Sequence, residues 1–182
     1  MKFCSQCGSK QIFFTVPAGD NRERHVCQDC DVIFYENPRI ICGCIATFED
    51  KVLLCKRAIE PKYGLWTLPA GFMENQETTE EAAIRETLEE TTNHVTVSNL
   101  YTVLNVPEIN QVYFFFRADI KTPSFEPTSE SSEVKLFTED EIPWSQLAFG
   151  SVTHTLTQFF QDRQNAHYPI HVATLRKNQN AN

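Results

Sequence analysis

The residues of this chain best suited to chemistry lie in GFMENQETTEEAAIRETLEETTN, Gly71 to Asn93. That stretch holds seven carboxylates (Glu74, Glu77, Glu80, Glu81, Glu86, Glu89 and Glu90) and one base, Arg85. Glu86 and Glu90 stand four residues apart with no lysine interleaved, which costs a helix about 0.2–0.5 kcal/mol. Glu89 and Glu90 fall near the C-terminal end of that segment, where a helix dipole disfavours negative charge. A divalent cation reverses the sign of both effects, because a hard ion such as Mg2+ takes carboxylate oxygens and keeps positions open for water and phosphate. A solvated acidic face is the alternative reading of the same charges. A second set of ligands is made of sulfur. Cys4, Cys7, Cys27 and Cys30 form two Cys-x-x-Cys pairs with nineteen residues between them, a spacing suited to a tetrahedral four-thiolate Zn2+ site. Four thiolates leave no position for water or substrate, so this zinc folds a module too small to bury a core and is not catalytic.

The elements that must position these groups are readable from pattern. Thr78 followed by Glu81 satisfies a capping box, which starts a helix with Thr78 as its N-cap. At 100° per residue Glu86, Glu89 and Glu90 share one stripe, and Ile84, Leu88 and Thr91 fall on the opposite side as the apolar face. Asn93, a residue tolerant of left-handed backbone, marks the end. Upstream, RIICGCIATFE and KVLLCKR read as strands separated by the turn Glu49-Asp50, and AIEPKYGLWTLPAG reads as a loop broken by Pro61, Gly64, Pro69 and Gly71. Downstream come short extended stretches in VTVSNLYTVLNV, the strand QVYFFFRADI, a polar loop KTPSFEPTSESSE, then VKLF and a late amphipathic helix SVTHTLTQFFQDR. Strands and helices mixed without a strict alternation predict an α/β/α sandwich with a mixed sheet, preceded by a small N-terminal zinc ribbon. The expected domains are a ribbon over 1–34, a catalytic domain over 35–175 and a disordered tail over 176–182.

With Gly71, Glu77, Arg85-Glu86 and Glu89-Glu90 in this register, the segment resembles the signature of the Nudix hydrolase family. Thr87 stands where that family has an aliphatic residue, and Thr92-Asn93 replaces a glycine followed by an aliphatic. The resemblance implies that Glu86, Glu89 and Glu90 bind Mg2+ or Mn2+, with the Gly71 carbonyl as a further ligand. It implies that Glu77 pairs with Arg85 or sits behind the ligands, that Arg85 holds the carboxylates in place, and that metal-activated water attacks a pyrophosphate phosphorus. Of the loop acids Glu130 and Glu133, Glu133 is the first choice for an additional carboxylate facing the metals, with a solvated loop as the alternative.

A ribbon before such a domain is similar to the NADH pyrophosphatase subgroup and to relatives acting on FAD and ADP-ribose. Pro143-Trp144-Ser145-Gln146-Leu147-Ala148-Phe149 shares an aromatic pair with the motif of the NADH group but not its order or prolines. FAD or ADP-ribose therefore ranks ahead of NADH as substrate. Trp144, Phe149, Phe72 and Tyr63 are candidates to stack on a base; core packing is the alternative for each. The net charge of −8 and pI near 5.1 argue against a general grip on nucleic acid. A ribbon that contacts RNA or DNA, with the second domain as a ligand sensor or as a hydrolase of NAD-type RNA caps, is the competing reading. No apolar run matches a signal peptide or a membrane span, so a reducing, cytoplasmic setting is expected, and the family layout implies a homodimer.

Overall fold

In the computed structural model, which describes residues 1–176, three short antiparallel strands carry the N-terminal cysteines: β1 (Ile12–Thr15), β2 (Arg24–Cys27) and β3 (Ile33–Phe34). The polar stretch over 17–25 connects β1 to β2 and ends inside a strand, since Arg24 and His25 belong to β2. The residue after the second cysteine of each pair turns the chain through left-handed backbone, Gly8 at φ 76° and Asp31 at φ 56°. The sulfurs of Cys4 and Cys30 stand 3.7 Å apart and those of Cys7 and Cys27 3.6 Å apart. All four lie within 4.8 Å of one another. Zinc–sulfur bonds of about 2.3 Å arranged tetrahedrally give sulfur–sulfur edges of about 3.8 Å, so the cluster has the dimensions of a zinc site. A disulfide needs about 2.05 Å, and no cysteine among the described residues forms one.

This N-terminal unit spans Met1–Asn37; a second unit runs from Pro38. Its elements are β4 (Arg39–Phe48), β5 (Lys51–Arg57), β6 (Trp66–Thr67), β7 (Ala70–Phe72), α1 (Thr79–Thr91), β8 (Val95–Val106), β9 (Gln111–Ile120), β10 (Ser131–Phe137), α2 (Gly150–Arg163) and β11 (His171–Thr174). The main sheet has the order β10-β5-β4-β9-β8-β11, with β6 beside β5 and β7 beside β4. It is mixed, because β4 runs parallel to β9 and β11 parallel to β8, whereas the other neighbours are antiparallel.

Period-2 alternation sends successive residues to opposite faces. Val52, Leu54 and Ile45 join α2 residues Val152, Leu156, Phe159 and Phe160 in one core, while Leu53, Cys55, Cys44 and Ala46 join Ala82 and Ala83 of α1 in the other. One helix therefore covers each face, which gives the predicted sandwich. Cys42, Cys44 and Cys55 are core thiols, and burial pushes Cys42 up to about 12 and Cys44 up to about 11. No helix among the described residues is long and apolar enough to cross a membrane.

Three differences from the expected elements share a cause, the dominance of long-range pairing over local pattern. The Gly- and Pro-rich loop contributes β6 and β7, recruited by β5 and β4. VTVSNLYTVLNV is one twelve-residue strand, with irregularities near Ser98 and Tyr101 that hide its alternation. β11 was not foreseen, since HVAT alone is too short to register. It is held parallel to β8, and its His171 Nε2 lies 2.7 Å from Asp162, whose carboxylate also accepts from the Tyr101 hydroxyl. Of the tail expected at 176–182, everything after Arg176 lies outside the described residues.

Candidate active site

The site is built on α1. Its N-terminus is the expected capping box: Glu81 N–H donates to Thr78 Oγ1 at 3.2 Å and Thr78 N–H donates to Glu81 Oε2 at 2.8 Å. The far end differs from expectation. Thr92 adopts the left-handed conformation at φ 57°, its N–H bonding Leu88 O at 2.8 Å. Asn93 is buried instead and ties the turn to a neighbouring loop, donating to Thr91 O and Ser124 O and accepting from Ser124 N–H. A β-branched residue in that conformation is strained, and these three bonds hold it.

The facing of α1 also reverses the expected one. Its buried residues are Ala82, Ala83, Glu86, Thr87, Glu90 and Thr91, whereas Leu88 is 37% exposed. Thr91 is buried as expected, but beside the acids rather than away from them. Small alanines and threonines let the helix lie close on the sheet. Thr87 and Thr91 satisfy their hydroxyls on the carbonyls of Ala83 and Thr87, one turn back, so threonine replaces an aliphatic residue at no cost in unpaired groups. Two carboxylates are thereby forced into the interior.

Arg85 organises them with every arm of its guanidinium. Nε and Nη2 form a fork on Glu77 at 3.0 and 2.7 Å, Nη1 reaches Glu86 at 2.7 Å and Glu89 at 3.0 Å, and Nη2 also donates to the Phe72 carbonyl at 3.1 Å. The fork geometry is one a lysine cannot reproduce. These bonds hold the Glu77 carboxyl down at about 2.

Glu86 packs on Gly71 so closely that a Cβ there would meet its carboxylate; all three of the nearest atoms belong to that group. Burial raises the Glu86 carboxyl above its ordinary value against the pull of Arg85, with Glu89 and Glu130 adding repulsion. Glu90 is deeper. Its Oε2 accepts from Ala70 N–H at 3.1 Å and from the Cys55 thiol at 3.4 Å, and burial pushes it up to about 7. Glu89 stays at the rim, its side chain 58% exposed.

A cavity of about 570 Å³ opens onto this stripe, within the range of small-molecule sites. Glu86, Glu89, Glu90, Arg85 and Gly71 line it, as do Phe72 and Phe149. Glu77 stands behind, clamped to Arg85. Of the two loop acids, the cavity takes Glu130 and not the first choice, Glu133. Glu130 lines the cavity, whereas Glu133 lies on β10 at the sheet edge, 3.6 Å from Lys56. Trp144 packs edge-on against Phe160, and Tyr63 is 65% exposed on a loop; neither reaches the cavity. The sequence reading missed Arg57, whose guanidinium stacks 5.3 Å from the Phe149 ring centre, and Gln111 and Tyr113 of β9. Alternation along Gln111, Tyr113 and Phe115 was the available signal, masked because almost every residue of β9 is apolar.

The residues suit a divalent cation by donor chemistry. Three carboxylates of one helix face a single cavity, two are buried with raised carboxyl values, and Gly71 leaves the space that Glu86 occupies. Their oxygens are not gathered to ligating distance of one another; among the described residues only the four cysteines are. Arg85 bridges Glu86 and Glu89, and Glu90 turns to Ala70.

This sheet, these two helices and this carboxylate helix define a Nudix-type hydrolase. The NUDIX domain family matches residues 37–162 and the Nudix N-terminal zinc-ribbon family matches residues 2–36, so the chain belongs to the Nudix family. Among solved structures, a Nudix hydrolase from Nitrosomonas europaea is 47% identical, superposes with a TM-score of 0.94 and matches over 97% of this chain and 100% of its own. The NAD-capped RNA hydrolase NudC of Vibrio vulnificus (strain CMCP6) is 30% identical over 145 residues, 79% of this chain and 53% of that protein. An ADP-ribose pyrophosphatase of Methanocaldococcus jannaschii is 29% identical over 150 residues, 79% and 88% of the two chains. The chain spans about half the length of the NudC relatives it matches.

Proposed function

We propose that this Nudix hydrolase cleaves the pyrophosphate of a dinucleotide-type substrate, FAD or ADP-ribose ahead of NADH, to two monophosphates. The observation that carries this reading is one cavity lined by both the Glu86, Glu89 and Glu90 carboxylates and the Phe149 ring with its Arg57 cap. The first group handles a pyrophosphate and the second offers a stacking surface to a base.

Glu86, Glu89 and Glu90 are the groups to hold Mg2+ or Mn2+, with the Gly71 carbonyl beside them; ions bound there supply charge neutralisation on the phosphoryl oxygens and acidify water. The chain's own residues do the rest. Arg85 fixes the directions of Glu86 and Glu89 and is itself fixed by Glu77. Glu130 is the loop carboxylate with access to the cavity, and we assign it to proton transfer from the attacking water. One bond forms from water oxygen to phosphorus, the bridging P–O bond breaks, and each product leaves as a monophosphate.

The relatives named NAD-capped RNA hydrolase favour a second reading, a larger substrate carrying the same pyrophosphate. The net charge of −8 weighs against it, since RNA affinity comes from cations. Product analysis with Mg2+ on FAD, ADP-ribose, NADH and NAD-capped RNA separates the two. Turnover of nucleoside triphosphates with none of these overturns both. Glu89→Gln is expected to lower kcat by orders of magnitude at unchanged thermal stability, because the side chain is exposed; retained activity refutes its assignment to the metals.

A further inference from the structure

Behind the catalytic carboxylates lies a buried thiol that the chemistry above leaves without work. Cys55, 1% exposed, sits on β5 opposite Thr67 of β6 and Val134 of β10. Its side chain belongs to the core under α1, with Leu53, Ala82 and Ala83. An apolar side chain of the same size would fill that place equally well. What the thiol adds is a proton, and Sγ lies 3.4 Å from Glu90 Oε2. The Thr67 carbonyl, at 3.6 Å, is the other acceptor within its reach.

A second donor meets the same carboxylate oxygen. Ala70 N–H reaches Oε2 at 3.1 Å, on backbone that comes close only because residue 43 is glycine: a Cβ there would collide with Ala70 and with the Pro69 carbonyl. Both donors thus stand on strands, β5 and β7, and both fall on Oε2. Oε1 accepts no hydrogen bond among the described residues, yet no buried side-chain oxygen among them is left unpaired. Oε1 is therefore the atom that meets the cavity lined by Glu90. The two oxygens of a residue only 5% exposed are divided, one tied to the sheet and one free.

We propose that Cys55 is a positioning residue for the reaction: its thiol, together with Ala70 N–H, clamps Glu90 Oε2 and leaves Oε1 as the oxygen offered to a divalent cation. The inference rests on the assignment of Glu90 to the metals under the proposed function, and it states how that carboxylate is held for them. The sulfur itself is not offered as a ligand, because Mg2+ and Mn2+ suit carboxylate and carbonyl oxygens whereas thiolates suit softer ions. Groups that orient metal ligands contribute about 10–100-fold to metal affinity, and a thiol is a weak donor, so the lower figure applies here.

The test uses the zinc-loaded full chain and three variants: Cys55→Val, which keeps the volume, Cys55→Ala, which leaves a cavity, and Glu90→Gln. Mn2+ binding is read from the electron paramagnetic resonance of the unbound ion. The thiol is read from its S–H stretching band in infrared difference spectra of wild type against Cys55→Val. Mn2+ affinity is expected to fall about tenfold in both Cys55 variants, although only the alanine variant opens a cavity and melts lower. The S–H band is expected to move in Glu90→Gln and to keep its hydrogen-bonded position when Mn2+ is added to wild type. A thiol that merely fills space leaves Mn2+ affinity within about threefold of wild type in Cys55→Val, and a proton resting on Thr67 gives a band indifferent to Glu90→Gln. Either result overturns the clamp, as does a band that jumps to an unbonded position on adding Mn2+; the metal assignment still stands if Glu90→Gln weakens Mn2+ binding. Unchanged Mn2+ affinity in Glu90→Gln overturns that assignment and the clamp with it.

Discussion

Gly71→Ala isolates the position of one carboxylate. Gly71 lies in β7 with ordinary extended backbone, so alanine meets no conformational barrier; its cost is the Cβ, which lands on the Glu86 carboxylate. To restore an ordinary contact of 3.4 Å the carboxylate must retreat by about 1 Å. A retreat of that size stretches the 2.7 Å bond from Arg85 Nη1 to about 3.7 Å, beyond hydrogen-bond reach. Because the displaced group is the end of a flexible side chain beside an open cavity, the stability loss should stay near ~1 kcal/mol, a fall in Tm of about 2–4 °C. Misplacement by 1 Å at a reacting centre costs about 100-fold in rate. Activity measured against free Mg2+ should therefore fall about 100-fold, with the Mg2+ midpoint moved to higher concentration, while the protein melts within a few degrees of wild type. Activity within threefold of wild type at an unchanged Mg2+ midpoint would falsify the role assigned to Glu86.

Arg85→Lys keeps the charge but loses the fork; since groups that orient metal ligands contribute about 10–100-fold, kcat should drop by that factor and Mg2+ affinity with it, as isothermal titration can read. Glu77, with its carboxyl held at about 2 against an ordinary 4.5, adds stability that is complete above 4.5 and lost as pH falls toward 2. Urea unfolding between pH 5 and 2.5 should show a flatter acid limb in Glu77→Gln than in wild type, and parallel limbs refute the linkage. Chelation should release one zinc per chain, detected colorimetrically, and Cys27→Ser should prevent its uptake. Hydrogen exchange should then speed up over Met1–Asn37 and stay slow in β4, β5 and β9, whose cores contain no cysteine of that cluster.

Whatever local chemistry specifies could be read from the sequence. A capping box is decided within four residues, a Cys-x-x-Cys knuckle within five, and a strand such as KVLLCKR by its own side chains, so Thr78, the four sulfurs and β5 all lie where the pattern puts them. β6, β7 and β11 are strands only because a neighbour supplies hydrogen-bond partners, and two to four residues carry no periodicity of their own. Glu130 and Glu133 differ by three positions in one polar run. What separates them is the irregular pairing at the start of β10, between Ser131 and Glu133, which places one acid at the cavity and the other beside Lys56.

The facing of α1 is the more instructive error, because the hydrophobicity of its residues points the wrong way. A helix in an ordinary core buries Ile84 and Leu88; this one leaves Leu88 half in water and takes Glu86 and Glu90 inside. Transfer energies alone oppose that arrangement, since exposing a leucine forfeits up to about 1.5–3 kcal/mol and each buried carboxylate needs compensation. The compensation is visible atom by atom: Arg85 on Glu86, Ala70 N–H and the Cys55 thiol on Glu90, and a carboxyl value near 7 that lets Glu90 shed its charge. Helix position is thus set by the polar partners waiting on the sheet and by the alanines and threonines that let α1 approach it, not by its aliphatic residues. We infer that a fold carrying two interior acids at such a cost has a use for them: with an arginine holding one of them beside an exposed third, they are the carboxylates proposed to face one cavity, where a cation rather than a proton would neutralise them.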